Sequence, residues 1–504
     1  MRAQLLALFT ATALVLSGCS LLPGQDEPTA VPADATQAPE GQEDLARFYE
    51  QRLDWGDCGD LTGECAELEV PVDYEQPEGE TLRIGVLKVP AKREKQGSLV
   101  LNPGGPGGSG MEYASAADYV VSPQVRDRFD VVGFDPRGVG RSAPVDCLDD
   151  RALDEFLGSD PTPDDAAEEE QQGAVMRSMG QGCEELSGTI APHMSTAEAA
   201  RDMDVLRAAL GESQLDYLGK SYGTYLGATY ADLFRDKVGR FVLDGVLAPD
   251  LTAAEVNIGQ AKGFDTATRE WAAACVEEGC PFGGTQDEVI DRVRGILEDL
   301  DSNPVPGAAG LELTEGWATL GIAQAMYDQG AWSTLTDALA SVEEGDGRDL
   351  MEMAFQYASR NAGGDYAGNI MEAIYAVNCL DRPEPEGAER EEMVEEAERV
   401  APIWGQFIAG GSGPCSEWPW EPVGEPRPID AKGANPILVV GTTRDPATPY
   451  EWAQRLHDQL ADSRLITHEG DGHTAYMRQN DCVDKAVDTF WLTGELPAED
   501  ITCS

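Results

Sequence analysis

The segment Gly219-Lys220-Ser221-Tyr222-Gly223 constrains the chain more than any other, because it sets one serine between two glycines at a predicted strand-to-helix junction. The apolar run 215–218 before it predicts a short buried strand, and residues 224–234 after it predict a helix. Such a turn pushes a serine hydroxyl out of the backbone, and small glycines let strand and helix pass close to it. A glycine-rich turn around an ordinary serine fits the bare pattern equally well. The surrounding sequence must therefore decide whether Ser221 is a nucleophile.

Predicted strands and helices alternate on both sides of this turn. Strands are predicted for 68–74, 81–90, 98–102, 129–134, 215–218, 238–243, 435–441 and, as the last strand, 464–468; helices are predicted for 196–210 and 450–461. This alternation predicts an α/β fold with a mostly parallel sheet and helices on both faces. Between 251 and about 400, long helical periodicities replace the strand signals. We therefore expect one sheet interrupted by a large helical lid, which would cover the carboxyl ends of the strands and form a pocket.

The N-terminal residues predict export. A basic start precedes the apolar run 5–16, which is too short to span a membrane and ends in Leu16-Ser17-Gly18-Cys19. This ending resembles the lipobox of bacterial lipoproteins. The resemblance implies that residues 1–18 are a signal peptide and that Cys19 carries a diacylglyceryl anchor with fatty acyl chains such as palmitate. We therefore expect the protein on the outer face of the cell membrane, with release to the outside as an alternative. A plain secretory signal with a nearby cysteine is the alternative.

Composition and periodicity then divide the remaining chain. Residues 19–43 are rich in Pro, Gly, Gln and acidic side chains, which cannot bury a core, so we expect a flexible tether. The core is expected in two parts, 44–250 and 431–504, with the lid between them at 251–430.

The cysteines indicate disulfides rather than a metal site. Without Cys19, ten of the 11 cysteines remain, an even number in an exported chain. They fall in near neighbours, so we predict sequential pairing, although other connectivities stay open: Cys58–Cys65, Cys147–Cys183, Cys275–Cys280, Cys379–Cys415 and Cys482–Cys503. No C-x-x-C occurs and the histidines do not cluster with cysteines, so neither zinc nor another metal is expected.

The charge of the chain excludes one class of partner. With 36 basic and 92 acidic residues, the formal net charge is 36 − 92 = −56. Such a chain repels nucleic acid and anionic lipid surfaces, so we expect no nucleic-acid partner. The simplest reading of the acidity is a solubility device for an exposed protein.

A nucleophilic serine needs a histidine base that follows it in an architecture of this kind. The chain has four histidines: His193, His457, His468 and His473. His193 precedes Ser221, and His457 lies inside a predicted helix. His473 follows the last predicted strand in the glycine loop 470–474, where an exposed base is expected. His473 is therefore the predicted base, with His468 as the alternative.

The base in turn needs a carboxylate that orients it. Asp445 follows the strand predicted for 435–441 and lies in a loop made rigid by Pro446. Its predicted function is to hold the His473 tautomer and to stabilise the imidazolium that forms. An aspartate that caps the next helix is the alternative reading, and Asp471 is the second candidate, although it is too close to His473 in sequence for the usual geometry.

Acyl transfer also needs N–H donors for a developing oxyanion. The glycine-rich loop 102–110 follows a predicted strand, and its glycines permit backbone angles that expose amides. The amide of Tyr222, directly after Ser221, is the expected second donor. A phosphate-binding loop is the alternative, but no G-x-x-x-x-G-K-[ST] occurs and Pro103 and Pro106 remove amides.

The loop Gly104-Gly105-Pro106-Gly107 resembles the H-G-G-P-G loop of the proline-iminopeptidase-like branch of the α/β-hydrolases, with Pro103 where that family usually has histidine. The form N-P-G-G-P-G resembles the secreted tripeptidyl aminopeptidases. Their other motifs match at 134–142, 219–223, 243–246 and 472–474, and the C-terminal cysteine pair matches as well, so the resemblance covers about 55–503. It implies an α/β-hydrolase fold, Gly105 as an oxyanion amide, and structural ion pairs for Asp135, Arg137 and Asp244.

The resemblance also implies cleavage of short peptides, tripeptides above all, from a free N-terminus. An exopeptidase must neutralise the α-ammonium group at a fixed distance from the serine, which requires carboxylates near the lid. The candidates are Asp381, placed first because Cys379 holds it, then Glu372 and Glu112.

These features together predict a monomeric, lipid-anchored serine exopeptidase that works through an acyl-enzyme on peptide substrates without a cofactor. Two other functions stay open. A carboxylesterase or lipase would use the same three residues in a pocket that is apolar throughout. A peptide-binding lipoprotein would have kept the fold without turnover.

Overall fold

The computed structural model describes residues 36–410 and 415–504. The predicted signal peptide, the lipidation site predicted at Cys19 and most of the predicted tether lie outside the described residues. No helix in the described ranges is long and apolar enough to cross a membrane.

The described residues contain twelve strands. Their bounds are β1 Gly56–Asp57, β2 Glu64–Pro71, β3 Thr81–Val89, β4 Gly97–Asn102, β5 Phe129–Phe134, β6 Leu215–Lys220, β7 Val238–Asp244, β8 Val305–Pro306, β9 Glu312–Leu313, β10 Ile437–Arg444, β11 Ser463–Asp471 and β12 Ile501–Cys503. Ten of them form one sheet in the order β1-β2-β3-β5-β4-β6-β7-β10-β11-β12, and β8 pairs with β9 apart from it.

Eighteen α-helices accompany these strands in the described ranges. They are α1 Ala46–Tyr49, α2 Gly110–Ser115, α3 Ala117–Val120, α4 Pro123–Arg128, α5 Asp150–Leu157, α6 Ala166–Ser187, α7 Thr196–Ala209, α8 Tyr222–Leu233, α9 Ala253–Glu278, α10 Gln286–Ser302, α11 Glu315–Met326, α12 Trp332–Glu343, α13 Arg348–Ala358, α14 Ile370–Asp381, α15 Ala388–Val400, α16 Gly405–Ala409, α17 Tyr450–Gln459 and α18 Asp481–Thr493. Residues 251–430, the expected lid, hold α9 to α16 and the β8–β9 hairpin.

The sheet is mostly parallel, as the alternation of strands and helices predicts. Strands β1, β2, β3 and β5 pair antiparallel, and every pair from β5–β4 to β11–β12 is parallel. The register places Asn102 opposite Gly219 and Lys220 opposite Asp244. Because parallel strands end at one edge, the loops after β4, β6, β7, β10 and β11 meet there.

The central strands are apolar on both sides because helices cover both faces of the sheet. All six residues of β4 are buried, and its side chains alternate between two cores. Val100 packs in one core, while Leu99 and Leu101 pack in the other. Two buried faces hold the strands rigid and fix the positions at which the loops begin.

The last strand differs from the prediction. β11 continues to Asp471, so Gly470 belongs to the strand rather than to the loop before His473, and β12 follows as a further parallel strand. β12 has only three residues, which is too short for a period-2 pattern to predict. The 22-residue helix α6 is also missing from the prediction, because its apolar residues are sparse; a capping box formed by Asp165 and Glu168 starts it.

Ten cysteines pair in sequence order. The disulfides are Cys58–Cys65, Cys147–Cys183, Cys275–Cys280, Cys379–Cys415 and Cys482–Cys503. The fourth joins the end of α14 to the residues that lead from the lid back to the core. The fifth ties α18 to the short strand β12.

Candidate active site

Ser221 lies at the junction of β6 and α8 with backbone angles that serine rarely adopts. Its φ of 55° and ψ of −127° cost roughly 1–3 kcal/mol and persist only where surrounding contacts hold them. The Ser221 N–H donates to the Asp244 carbonyl at 3.0 Å. The N–H and the hydroxyl of Thr224 donate to the Ser221 carbonyl at 2.8 and 2.6 Å. These bonds fix the tight turn that the sequence predicts.

The two glycines of the turn are required by the close passage of strand and helix. A Cβ added to Gly219 would lie 2.2 Å from the Gly223 carbonyl oxygen. A Cβ added to Gly223 would lie 2.8 Å from the Asn102 carbonyl oxygen at the end of β4. Any larger side chain would push α8 away from the strands and carry Ser221 with it.

His473 and Asp445 meet beside this turn, and both are buried. The His473 Nδ1 lies 2.8 Å from Asp445 Oδ1 and 3.0 Å from Oδ2. The carboxylate also accepts the N–H groups of Ala447, Thr448 and Thr474 at 3.0, 2.8 and 3.1 Å. A carboxylate surrounded by donors holds the imidazole with Nδ1–H toward it, which leaves Nε2 as the basic nitrogen.

The Nε2 atom of His473 is the ring nitrogen that does not contact Asp445. It is buried and has no hydrogen-bond partner in residues 36–410 and 415–504. Gly245, which follows the residue that binds the Ser221 N–H, lies so close that a Cβ there would be 3.3 Å from His473 Cε1. The hydrogen bond from a serine to its base is often long before substrate binds. The arrangement can therefore close into a serine–histidine–aspartate relay when substrate enters.

A tyrosine of the lid covers the histidine. The backbone N–H of His473 donates to the backbone carbonyl of Tyr327, just after α11, at 3.0 Å. The two rings meet edge to face, with centroids 5.2 Å apart and planes at 88°. The lid therefore packs against one side of His473 and holds its loop.

The glycine loop after β4 packs directly on the serine turn. Gly104 has a φ of +99°, and a Cβ there would lie 2.8 Å from the Ser221 Cβ and 3.2 Å from the Tyr222 nitrogen. Gly105, with a φ of +112°, lines the same cavity as Ser221 and Tyr222. Tyr222 is the first residue of α8, so its N–H has no helical carbonyl to bind. The loop thus places two amides where an oxyanion could lie.

Neither the alternative base nor the alternative acid is hydrogen-bonded to Asp445 or His473 in the described residues. His468 lies inside β11, its Nδ1 is buried without a hydrogen-bond partner in the described residues, and burial lowers the pKa of its imidazole. Asp471 forms an ion pair with Arg444. The remaining histidines contact other groups: His193 lies 3.3 Å from a Glu198 oxygen, and the His457 Nδ1 lies 2.7 Å from the Ser463 hydroxyl.

Comparison with known proteins agrees with this geometry. The family model described as "alpha/beta hydrolase fold" matches residues 97–280, and the one described as "TAP-like protein" matches 401–503. The chain is 32% identical to Serine protease Hip1 of Mycobacterium tuberculosis over 99% of this chain and 96% of that protein. It is 35% identical to Tripeptidyl aminopeptidase of Streptomyces lividans, over 91% and 88% of the two chains. It is 37% identical to Carboxylesterase B of Mycobacterium tuberculosis, over 95% of each.

The chain belongs to the TAP-like branch of the α/β-hydrolases. It is a serine hydrolase, and its relatives include proteins named as peptidases and a protein named as an esterase.

In this TAP-like hydrolase, a buried ion pair joins the serine turn to the histidine loop. Asp244, at the end of β7, accepts the N–H groups of Ala475 at 2.9 Å and Tyr476 at 3.0 Å. Lys220, directly before Ser221, lies 3.6 Å from the Asp244 carboxylate, and its Nζ donates to the Tyr476 carbonyl at 2.7 Å. The pair Lys220–Asp244 is the structural ion pair that the resemblance implies for Asp244.

The resemblance also implies structural roles for Arg137 and Asp135. In the structure, these two residues brace other loops. Arg137 is buried and forms an ion pair with Asp202 at 2.7 Å. Asp135 makes hydrogen bonds rather than an ion pair in the described residues. Its carboxylate accepts from the Ser109 hydroxyl at 2.6 Å and from the backbone N–H of Arg141 at 2.8 Å. Asp135 therefore braces the glycine loop through its hydrogen bonds.

The cavity that contains Ser221 lies between the core and the lid and has a volume of about 290 Å³. The three predicted amine-binding carboxylates do not line it. Asp381 accepts the N–H and the hydroxyl of Thr196, and burial raises its pKa to about 6. Glu372 accepts the N–H groups that begin at Cys147, and burial raises its pKa to about 7. Glu112 lines a neighbouring cavity with Asp135. The carboxylates of Asp381 and Glu372 thus bind other groups, and none of the three candidates lines the Ser221 cavity.

Two charged residues line the Ser221 cavity instead. Glu384 is the carboxylate of its lining in the described residues, and Arg382 is the basic group. Burial raises the pKa of Glu384, although an N–H bond from Cys415 and the charge of Arg390 oppose that shift. The stretch Arg382-Pro383-Glu384-Pro385 has no periodicity, so sequence reasoning missed both side chains. The signal that could have found them is the pair of prolines that hold Glu384 next to the Cys379–Cys415 disulfide.

Closely spaced acidic groups occur elsewhere in the described residues. The three groups with metal-binding spacing are Asp73 with His193 and Glu198, Asp160 with Glu168 and Asp301, and Asp164 with Asp165 and Glu168. None of these groups includes Ser221, Asp445 or His473, so the geometry of the candidate active site does not depend on them.

Proposed function

We propose that Ser221, His473 and Asp445 form the catalytic triad of a serine peptidase. The observation that carries this proposal is the buried Asp445–His473 pair beside a strained serine turn, with the His473 Nε2 unpartnered among the described residues. His473 Nε2 takes the proton of the Ser221 hydroxyl while Oγ attacks the scissile carbonyl. Asp445 stabilises the imidazolium that results.

The next steps use the same groups. The amides of Gly105 and Tyr222 bind the oxyanion of the tetrahedral intermediate, an interaction worth about 3–4 kcal/mol per donor in comparable sites. The imidazolium then gives its proton to the leaving amine as the C–N bond breaks. Water, deprotonated by His473, attacks the acyl-enzyme and releases the acyl peptide, and Ser221 regains its proton.

We further propose that the substrates are short peptides with a free N-terminus, probed most directly as tripeptides. A volume of about 290 Å³ lies near the lower limit of small-ligand sites, about 300 Å³, and favours a few residues over a folded protein. Glu384 is the group in the described lining that can neutralise an α-ammonium. This assignment replaces Asp381, Glu372 and Glu112, and the name of the Streptomyces relative supports the substrate class.

A carboxylesterase is the second candidate, and the 37% identical relative named Carboxylesterase B favours it. An esterase would use the same triad but would gain nothing from a charged group in the Ser221 cavity. The Ser221 cavity has both Glu384 and Arg382 in its lining, which favours a charged substrate.

One experiment separates these functions. The soluble chain from about residue 44 is incubated with one heptapeptide, free or N-acetylated, and the products are identified by mass spectrometry. We expect release of a tripeptide from the free peptide alone. Cleavage of both forms contradicts exopeptidase specificity. Cleavage of neither, with hydrolysis of p-nitrophenyl esters, supports the esterase, and no turnover of either class supports a binding protein.

We also propose a monomeric, extracytoplasmic protein anchored through a lipid on Cys19. The lipobox-like segment 16–19 and the five disulfides support export to an oxidising compartment. Metabolic labelling with a palmitate analogue tests the anchor: we expect labelled protein in the membrane fraction, and Cys19→Ala should abolish the label. Size-exclusion chromatography with light scattering tests the monomer.

A further inference from the structure

The Ser221 cavity is lined by a buried arginine that forms no ion pair within 4.0 Å in the described residues. Arg382 is 5% exposed and lines the cavity. Its Nε donates to the Leu251 carbonyl at 3.1 Å, whereas its Nη2 is buried without a hydrogen-bond partner in the described residues. A buried polar group without a partner is rare in folded proteins and points to a partner that arrives with a ligand.

The carboxylates near Arg382 make hydrogen bonds to other groups, and Asp381 interacts with the Arg382 charge only from beyond ion-pair distance. The adjacent Asp381 uses its two oxygens on Thr196, and Glu384 accepts the Cys415 N–H. No ion pair of Arg382 within 4.0 Å is found in the described part of the chain. The Tyr225 ring lies 4.4 Å from the guanidinium carbon, which stabilises a cation but does not neutralise it. Arg382 is therefore a largely desolvated positive charge in the wall of the Ser221 cavity, without a close carboxylate partner in the described residues.

Neutral groups of a peptide have other partners in the same pocket. The carboxamides of Asn257, Gln260 and Asn378 also line the cavity and can donate to main-chain carbonyls. A neutral carbonyl would not compensate the charge of Arg382, whereas a carboxylate would. A guanidinium binds a carboxylate through short, charge-assisted hydrogen bonds.

We propose that Arg382 is a specificity-determining residue that selects peptides with an acidic side chain in the acyl segment. The proposal rests on the proposed peptidase function. Arg382 and Glu384 would together form a pocket for N-terminal segments that carry both a side-chain carboxylate, bound by Arg382, and an α-ammonium group, bound by Glu384.

Isosteric substrates test this selection. Tripeptide p-nitroanilides with a free N-terminus are prepared in Glu/Gln pairs at each of the three positions, on an alanine background. We measure the ratio of kcat/KM for Glu over Gln at fixed ionic strength, because a net charge of −56 repels acidic peptides at long range. The wild type should prefer Glu by about tenfold or more at one position, as expected for a hydrogen bond to a charged group.

Arg382→Met should reduce that ratio to about 1 or below, and Arg382→Lys should retain part of it because the charge remains. Rates are normalised by titrating the active serine with a fluorophosphonate, so that misfolded protein does not count. Arg427 offers a matched control: it also acts on Tyr225 electrostatically, but it lies outside the cavity lining and pairs with Asp232. Arg427→Met should keep the wild-type ratio.

The outcomes separate this inference from the proposed function. If the wild type cleaves the tripeptide substrates with a Glu/Gln ratio near 1 at all three positions, the charge selection is overturned while the peptidase function stands. If Arg382→Met slows Glu and Gln substrates equally, Arg382 makes a general contact, and the selection is likewise overturned. If the wild type cleaves no peptide, the proposed function itself fails.

Discussion

Replacing Asp244 by asparagine should uncouple the serine turn from the histidine loop. The Asp244 side chain is fully buried, and its carboxylate joins Lys220, Ala475 and Tyr476. Its backbone carbonyl also accepts the Ser221 N–H. Asparagine keeps the size of the side chain but removes its charge and turns an NH₂ group toward groups that need an acceptor.

The free-energy cost follows from the burial of the pair. The side chains of Lys220 and Asp244 are 9% and 0% exposed, so the substitution leaves a buried lysine charge without its partner. Breaking such a pair costs about 3–5 kcal/mol of unfolding free energy. A whole domain has about 5–15 kcal/mol, so the variant should fold but melt at a lower temperature. Lys220→Met combined with Asp244→Asn should recover part of this loss, because no uncompensated charge remains.

Activity should fall through kcat rather than KM. Neither Lys220 nor Asp244 lines the Ser221 cavity, whereas both bind the backbone two or three residues after His473. A displacement of about 1 Å in a catalytic group reduces the rate by about 10²-fold. We expect kcat of Asp244→Asn to fall by about that factor, with KM changed less than about threefold.

The assay uses a free tripeptide p-nitroanilide well below the melting temperature, with rates divided by the titrated active-site concentration, and urea unfolding in parallel. Asp216→Asn is the matched control, because Asp216 lies in β6, the strand that contains Lys220, and accepts the backbone N–H of Arg240 at 2.7 Å near the other end of that strand. It should alter stability without changing kcat. A kcat for Asp244→Asn equal to that of the wild type per active site would refute the coupling of the two loops.

Three further predictions test other parts of the site. Asp445→Asn should leave the protein folded but lower kcat by about 10⁴-fold, because an amide no longer holds the reactive tautomer of His473. Single-turnover and steady-state kinetics measure this loss, and a loss below tenfold contradicts the assigned role. Burial raises the pKa of Glu315 to about 8, above an unfolded value of about 4.3, so the folded state holds a proton that the unfolded state releases. Stability should therefore fall as pH rises from about 4.3 to 8. Glu315→Gln should make the fall of the melting temperature over this range less steep, although Asp381 and Glu372 still contribute to it, and an unchanged slope contradicts the shift. Serine substitution of both Cys379 and Cys415 removes a disulfide whose cysteines are 36 residues apart in sequence, and should lower the free energy of unfolding by about 4 kcal/mol in urea titrations. The same variant should raise KM for free tripeptides more than for p-nitrophenyl acetate.

The elements around the catalytic edge could be predicted because their signals are local. The strands 129–134 and 215–218 are short apolar runs with turns after them, and the structure has strands there. The turn at Ser221 needs glycine at fixed positions, because strand and helix nearly touch. These constraints act within a few residues, so they are visible in the sequence.

The contacts of the lid could not be predicted in the same way. Asp381 lies beside a disulfide cysteine, which made it attractive as an amine ligand, but the fold turns its carboxylate onto Thr196, 185 positions away. Glu384 and Arg382 lie in a proline-containing stretch without periodicity, and only the packing of the lid onto the core brings them to the cavity of Ser221.

The sequence alone determined the α/β-hydrolase class, the tight serine turn, and the candidates Ser221, Asp445 and His473, because backbone geometry near a glycine or a strand end depends on neighbouring residues. The tertiary structure decided that Asp445 and not Asp471 meets His473, that Lys220 and Asp244 clamp two loops, and which charges line the pocket. These facts depend on register between distant strands and on which buried carboxylate finds a donor. A buried charge must be satisfied by whatever the fold brings near it, and that neighbour is set by the whole chain.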